Sequence, residues 1–116
     1  FTITVHHRSG YLLVRASGAA LLADLYGFID LVATIATNLG ERCAVMDLTD
    51  VEIVLGFTQH LQLGVYAADR LTYLKRVASI VSEKKRTGTS EKAAQQMGLQ
   101  LKTFTALQEG LKWIAE

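Results

Sequence analysis

The feature that most constrains this chain is a change of hydrophobic period, repeated from end to end: short runs of strand character alternate with longer runs at helical spacing. Phe1, Ile3 and Val5 alternate with Thr2, Thr4 and His6, the pattern of a half-buried strand. Arg8-Ser9-Gly10 is turn chemistry and Tyr11 to Ala16 reads as a second strand, so the opening is an antiparallel hairpin that Ser17-Gly18 breaks. Leu21, Leu22, Leu25, Phe28, Ile29, Val32, Ile35, Ala36 and Leu39 follow three- and four-residue steps. They predict a long amphipathic helix stopped by Gly40. Arg42 to Leu48 is a nearly continuous apolar run, suited to a strand covered on both faces.

A second helix is expected over roughly Gly56 to Tyr73. Its inward stripe is read as Phe57, Leu61, Val65, Ala68 and Leu71 or Thr72, leaving Gln59, His60, Gln62, Tyr66 and Arg70 to solvent. Val77 to Val81 is a short buried strand, followed by a polar loop from Ser82 to Thr89 that is expected to be exposed. Ser90 is read as the cap of a short helix that Gly98 ends, and Leu99 to Phe104 alternates as a strand. Thr105-Ala106-Leu107-Gln108 has capping-box chemistry, opening a last helix with Leu107, Leu111 and Ile114 on one side.

The order is β-β-α-β-α-β-α-β-α. Strands joined through helices connect by right-handed crossovers and lie parallel. The expectation is a single α/β domain over residues 1–116, with a mixed, mainly parallel five-stranded sheet and four helices. A chain of 116 residues has no room for a second core. A formal charge of +1 gives no global field for nucleic acid, so nucleic-acid binding is not expected. The most apolar stretch is interrupted by Asp24, Asp30 and Asn38, which marks a core helix rather than a membrane span. Cys43 has no disulfide partner, is most simply a buried thiol, and fits a reducing, cytoplasmic setting. No signal peptide is visible, and the start at Phe1 rather than Met leaves a leader ahead of it open.

Parallel sheets take ligands beyond the carboxyl ends of their strands. There the sequence offers Asp47, Thr49 and Asp50, the Lys84-Lys85-Arg86 cluster, Thr87, Thr89 and Ser90, the makings of a weak phosphate or carboxylate site. The plainer alternative is a solvated loop with a serine cap. Asp47 and Asp50 could serve acid–base chemistry, but a brace for the following loop is the better reading. His6 and His7 point to opposite faces of a strand and His60 stands alone, so no metal site is expected. No serine, histidine and aspartate share a known catalytic spacing, and no enzyme or cofactor is expected. Trp113, at the margin of the last helix's apolar stripe, is read as core packing.

The element order, with Val45-Met46-Asp47-Leu48-Thr49-Asp50-Val51 ending the third strand, resembles the STAS domain of sulfate transporters and anti-sigma-factor antagonists. Asp47-Leu48, Gly56-Phe57-Thr58 and Glu109-Gly110-Leu111-Lys112-Trp113-Ile114 are similar to a bacterial STAS-like subgroup with a CRAL-TRIO-like character. The resemblance implies a cytoplasmic, non-catalytic regulatory module that binds a protein partner or forms a homodimer. Its CRAL-TRIO-like side implies a lipid-sized cavity, so the alternative is a binder or sensor of a small apolar ligand there, or of an anionic one at the Lys84 to Ser90 loop. Bacterial antagonists of this fold carry an Asp-Ser pair at the start of the second helix, whose serine is phosphorylated. Counted from Asp47, that pair falls on Leu55-Gly56, so the switch is not expected at Gly56, and Thr58 is the nearest hydroxyl. The partner surface is expected at Tyr66 and Arg70 on the outer side of the second helix.

Overall fold

The structure, a computed structural model, describes residues 1–116. Its elements are strands β1 (Thr2–Arg8) and β2 (Tyr11–Ala20), helix α1 (Leu22–Leu39), β3 (Cys43–Ile53), α2 (Phe57–Leu71) and β4 (Arg76–Ile80). A 3-10 turn at Glu83–Lys85 follows, then α3 (Thr89–Gln96), β5 (Leu101–Phe104) and α4 (Leu107–Ala115). The strands lie in the spatial order β1-β2-β3-β4-β5. β1 and β2 are antiparallel, and the other three pairs are parallel. The result is a five-stranded mixed sheet with four helices.

Every crossover steps the same way across the sheet, so right-handed connections put α1, α2 and α3 on one face. Beneath them lies the larger core, built on Leu12, Val14, Met46, Leu48 and Val77 of the sheet and on Phe28, Val32 and Leu71 of the helices. The other face carries only α4, seated over Leu13, Val45, Ala78, Ile80 and Phe104. Gly110 lets α4 come this close, since a Cβ there would lie 2.6 Å from Ile80 Cδ1. Trp113 packs beside Phe104 with the Arg76 guanidinium over its ring. Cys43 is buried in this smaller core.

Several local expectations are corrected. β2 does not stop at Ser17-Gly18: it continues to Ala20, with Gly18 at φ 103° and a register shift between Arg15 and Ser17. β3 likewise runs on to Ile53, because its extension pairs with that of β2 and buries Val51. Asp47 therefore sits in mid-strand, not at a strand end. α1 begins and ends as its pattern implies, with Asp24 accepting from Leu21 N–H and Gly40 left-handed at its carboxyl end. Its buried residues Leu25, Phe28, Ile29, Val32 and Ala36 pack in the core, although its length and hydropathy alone would pass for a membrane span. At α4 the N-cap is Ala106, with no side-chain capping bond, so the Thr105 box does not form.

The largest correction concerns α2. Its buried residues are Gly64, Ala67, Ala68 and Leu71, while Phe57, Leu61 and Val65 are 70%, 37% and 45% exposed. α2 packs against both α1 and α3, and it approaches α3 most closely at Gly64. A Cβ on Gly64 would collide with the Ser90 carbonyl oxygen and lie 2.8 Å from Ala93 Cβ. The helix is thus turned so that its small residues face inward and its large apolar stripe faces solvent.

Candidate functional site

Three places on this scaffold bear on function: the outer face of α2, the hollow between α2 and α3, and the surroundings of Asp47. On the first, Phe57, Leu61 and Val65 succeed one another at four-residue steps, a single stripe along the helix. Leu61 and Val65, with Thr58, Gln62, Ala68, Thr72, Tyr26 of α1 and Met97 after α3, line an open groove of about 700 Å³. Two further apolar residues are exposed where β2 and β3 end. Ala20 pairs with Ile53, so Leu21 and Val54 leave the sheet side by side, 73% and 77% exposed. Contiguous apolar patches such as the α2 stripe are uncommon on monomeric soluble surfaces and mark contact sites.

Tyr66 and Arg70, expected as free outer residues, are tied to α1. The Tyr66 hydroxyl donates to Asp30 at 2.7 Å, its ring stacks on Tyr26 at 4.1 Å, and Arg70 lies over the same ring and 3.4 Å from Asp30. The bond to the Asp30 carboxylate raises the Tyr66 phenol above its ordinary 10.0, since ionising it would cost that bond. The pair forms a strut at the groove's rim. Removing it would therefore cost stability, contrary to a free outer face.

The residues expected to form an anion site do not converge. Asp47 lies on the α4 side of the sheet, where Arg15 Nε donates to it at 3.0 Å. Thr49 N–H and Oγ–H both donate to the other carboxylate oxygen. Asp47 is 7% exposed with both oxygens engaged by Arg15 and Thr49, so it braces β2 and β3 rather than a following loop. Lys85, Arg86 and Ser90 lie across the sheet with Thr87 and Gly88, lining a hollow of about 80 Å³ closed by His60, Glu91 and Thr103. Lys84 and Thr89 are outside that lining, and Lys85 is only half exposed because its Nζ donates to Val51 O at 3.0 Å.

Ser90 does not cap α3. The N-cap is Gly88, left-handed at φ 77°, and Thr89 is already helical. The Ser90 hydroxyl instead donates to the His60 carbonyl at 2.8 Å, and its oxygen lies 3.2 Å from His60 Nδ1. With the hydroxyl proton committed to the carbonyl, a proton on Nδ1 completes the pair, which clamps α2 to α3. Burial lowers the His60 pKa from its ordinary 6.5. His7 lies 3.1 Å from Glu41, far from this clamp in the fold. The second enclosed space, about 70 Å³ under Leu25, Phe28 and Leu63, is well short of the ~300 Å³ that a drug-sized ligand occupies. The helices do not enclose a lipid-sized cavity.

The β-β-α-β-α-β-α-β-α order, sequential sheet and α4 alone on the far face make up a SpoIIAA-like fold. Solved structures bear this fold out. An anti-sigma factor antagonist from Mycobacterium paratuberculosis superposes with a TM-score of 0.66 at 15% identity, over 99% of this chain and 94% of that one. A Shewanella loihica protein with a SpoIIAA-like fold gives 0.59 at 21% identity, over 97% and 92%. The unphosphorylated anti-sigma factor antagonist SpoIIAA gives 0.59 at 10% identity, over 98% and 96%. No protein-family model and no curated protein matches the chain by sequence. At these identities the likeness is one of fold.

Gln59, Gln62 and Arg70 are exposed on α2 as expected, while His60 and Tyr66 are partly buried. Of the expected inward stripe only Ala68 and Leu71 are buried; Gly64 and Ala67 join them, which turns the neighbouring Phe57, Leu61 and Val65 to solvent.

Proposed function

We propose that this chain is a non-catalytic, cytoplasmic regulatory module that binds a protein partner through the outer face of α2. The observation that carries the reading is the solvent-facing stripe of Phe57, Leu61 and Val65, continued by Met97 at 58% exposure. The anti-sigma-factor antagonists of the same fold, which by name act on other proteins, support it. Tyr66 and Arg70 serve at the rim, where they hold the groove wall and offer polar contacts. Gly56, the N-cap of α2, cannot carry a phosphate. Thr58 is exposed, lines the groove and is the hydroxyl through which a phosphate would act on docking.

The test is Leu61→Asp combined with Val65→Asp. Both side chains face solvent, so the unfolding free energy should stay within about 0.5 kcal/mol of the parent. Affinity capture from cells with quantitative mass spectrometry should then show proteins retained by the parent and lost by the variant. Identical retention by parent and variant would refute the assignment.

A further inference from the structure

The two edges of the sheet are treated differently. At β5, Val77 N–H bonds Gln100 O and Val81 N–H bonds Phe104 O, so the even-numbered residues of that strand face β4. Leu101 and Thr103 therefore turn their backbone groups outward. Both are occupied: Gln95 Nε2 donates to Leu101 O at 2.7 Å, and the Glu91 carboxylate accepts Thr103 N–H. Side chains of α3 thus seal this edge against another strand.

β1, the opposite edge, has no such seal. It is seven residues long and pairs with β2 without interruption from Thr2↔Ser17 to Arg8↔Tyr11. It has no proline and no bulge, the devices that keep natural edges from pairing. No side-chain hydrogen bond in the molecule reaches its backbone. Ser9-Gly10 is a two-residue turn, which makes Arg8 and Tyr11 a hydrogen-bonded pair. By the alternation of an antiparallel ladder, Thr2, Thr4, His6 and Arg8 bond β2, while Ile3, Val5 and His7 turn their N–H and C=O groups outward.

We propose that β1 is a homodimer edge, pairing antiparallel with β1 of a second copy about a two-fold axis through Val5 to make one continuous ten-stranded sheet. The strand is complementary to its own reverse. Thr2 meets Arg8 of the second copy, Ile3 meets His7, Thr4 meets His6, and Val5, 42% exposed, meets itself. Arg8 is therefore kept at opposite ends of the joint, whereas a parallel pairing would stack Arg8 on Arg8 and histidine on histidine. Each two-fold ladder through three outward residues forms about six hydrogen bonds. The contact leaves the α2 face free, so it is independent of the docking proposed there.

Sedimentation velocity and light scattering over a micromolar to submillimolar series test this. The parent should sediment as a concentration-dependent dimer. Val5→Pro removes an outward donor from the edge but none from the β1–β2 ladder, and it should sediment as a monomer with unchanged circular dichroism. Val5→Lys, which keeps every backbone donor, places like charges on the axis and should also be monomeric should the proline variant fail to fold. In the parent, amide exchange at Ile3, Val5 and His7 should slow on the order of tenfold between the dilute and concentrated ends. A parent that stays monomeric throughout, a dimer that survives Val5→Lys, or exchange protection absent from these three amides would each overturn the proposal.

Discussion

Gly64→Ala isolates the feature that sets the orientation of α2. On an exposed helix this change gains about 1 kcal/mol, because glycine is the weaker helix former. Here the new methyl would collide with the Ser90 carbonyl oxygen and stand 2.8 Å from Ala93 Cβ. The first obstacle is backbone of α3, so relief requires the two helices to separate. Overpacking costs about 1–3 kcal/mol, and a backbone obstacle places this site at the upper end, for a net loss of about 2 kcal/mol. For a domain of this size that is a fall in Tm of about 8 °C. Gly110→Ala is the internal control. Its Cβ would meet the far end of the Ile80 side chain at 2.6 Å, which can rotate, so its net cost should be below about 1 kcal/mol. Urea denaturation of the parent and both variants, with two-dimensional NMR of the His60 ring, gives the comparison. A Gly64→Ala protein as stable as the parent, or less damaged than Gly110→Ala, would refute close α2–α3 packing as the reason for the α2 orientation.

The Ser90 clamp predicts that Ser90→Ala and His60→Ala each destabilise by about 1 kcal/mol, with a coupling of about 0.5 kcal/mol or more in a double-mutant cycle by urea melts. A cap on α3 would give no coupling. Asp47→Asn should lose about 1–2 kcal/mol in the same assay, since it removes the charge facing Arg15 from a nearly buried position. His60 sets a pH dependence. Its folded pKa is below the unfolded value of 6.5, so the stability tied to its neutral form is complete above that pH and is lost as pH falls through the folded value. Unfolding free energies measured across this range should show the loss, and His60→Gln should flatten it.

Strand and helix identity follow from local period, and so the sequence was enough for the element order, the hairpin, the carboxyl end of α1 at Gly40 and the buried Cys43. These depend on neighbours in the chain and on handedness rules that hold for any sheet. Strand length was not local. β2 and β3 outrun their sequence signals because each extension is satisfied by the other, through pairs such as Gly18↔Val51. The role of Ser90 was likewise settled by a carbonyl thirty residues away, at His60. For α2 the sequence presented two apolar stripes, one large and one small, and hydrophobicity alone favours the larger. Only the tertiary structure decided between them, because α2 approaches α3 most closely at Gly64, which buries Gly64 and Ala67 with Ala68 and Leu71 and turns Phe57, Leu61 and Val65 to solvent.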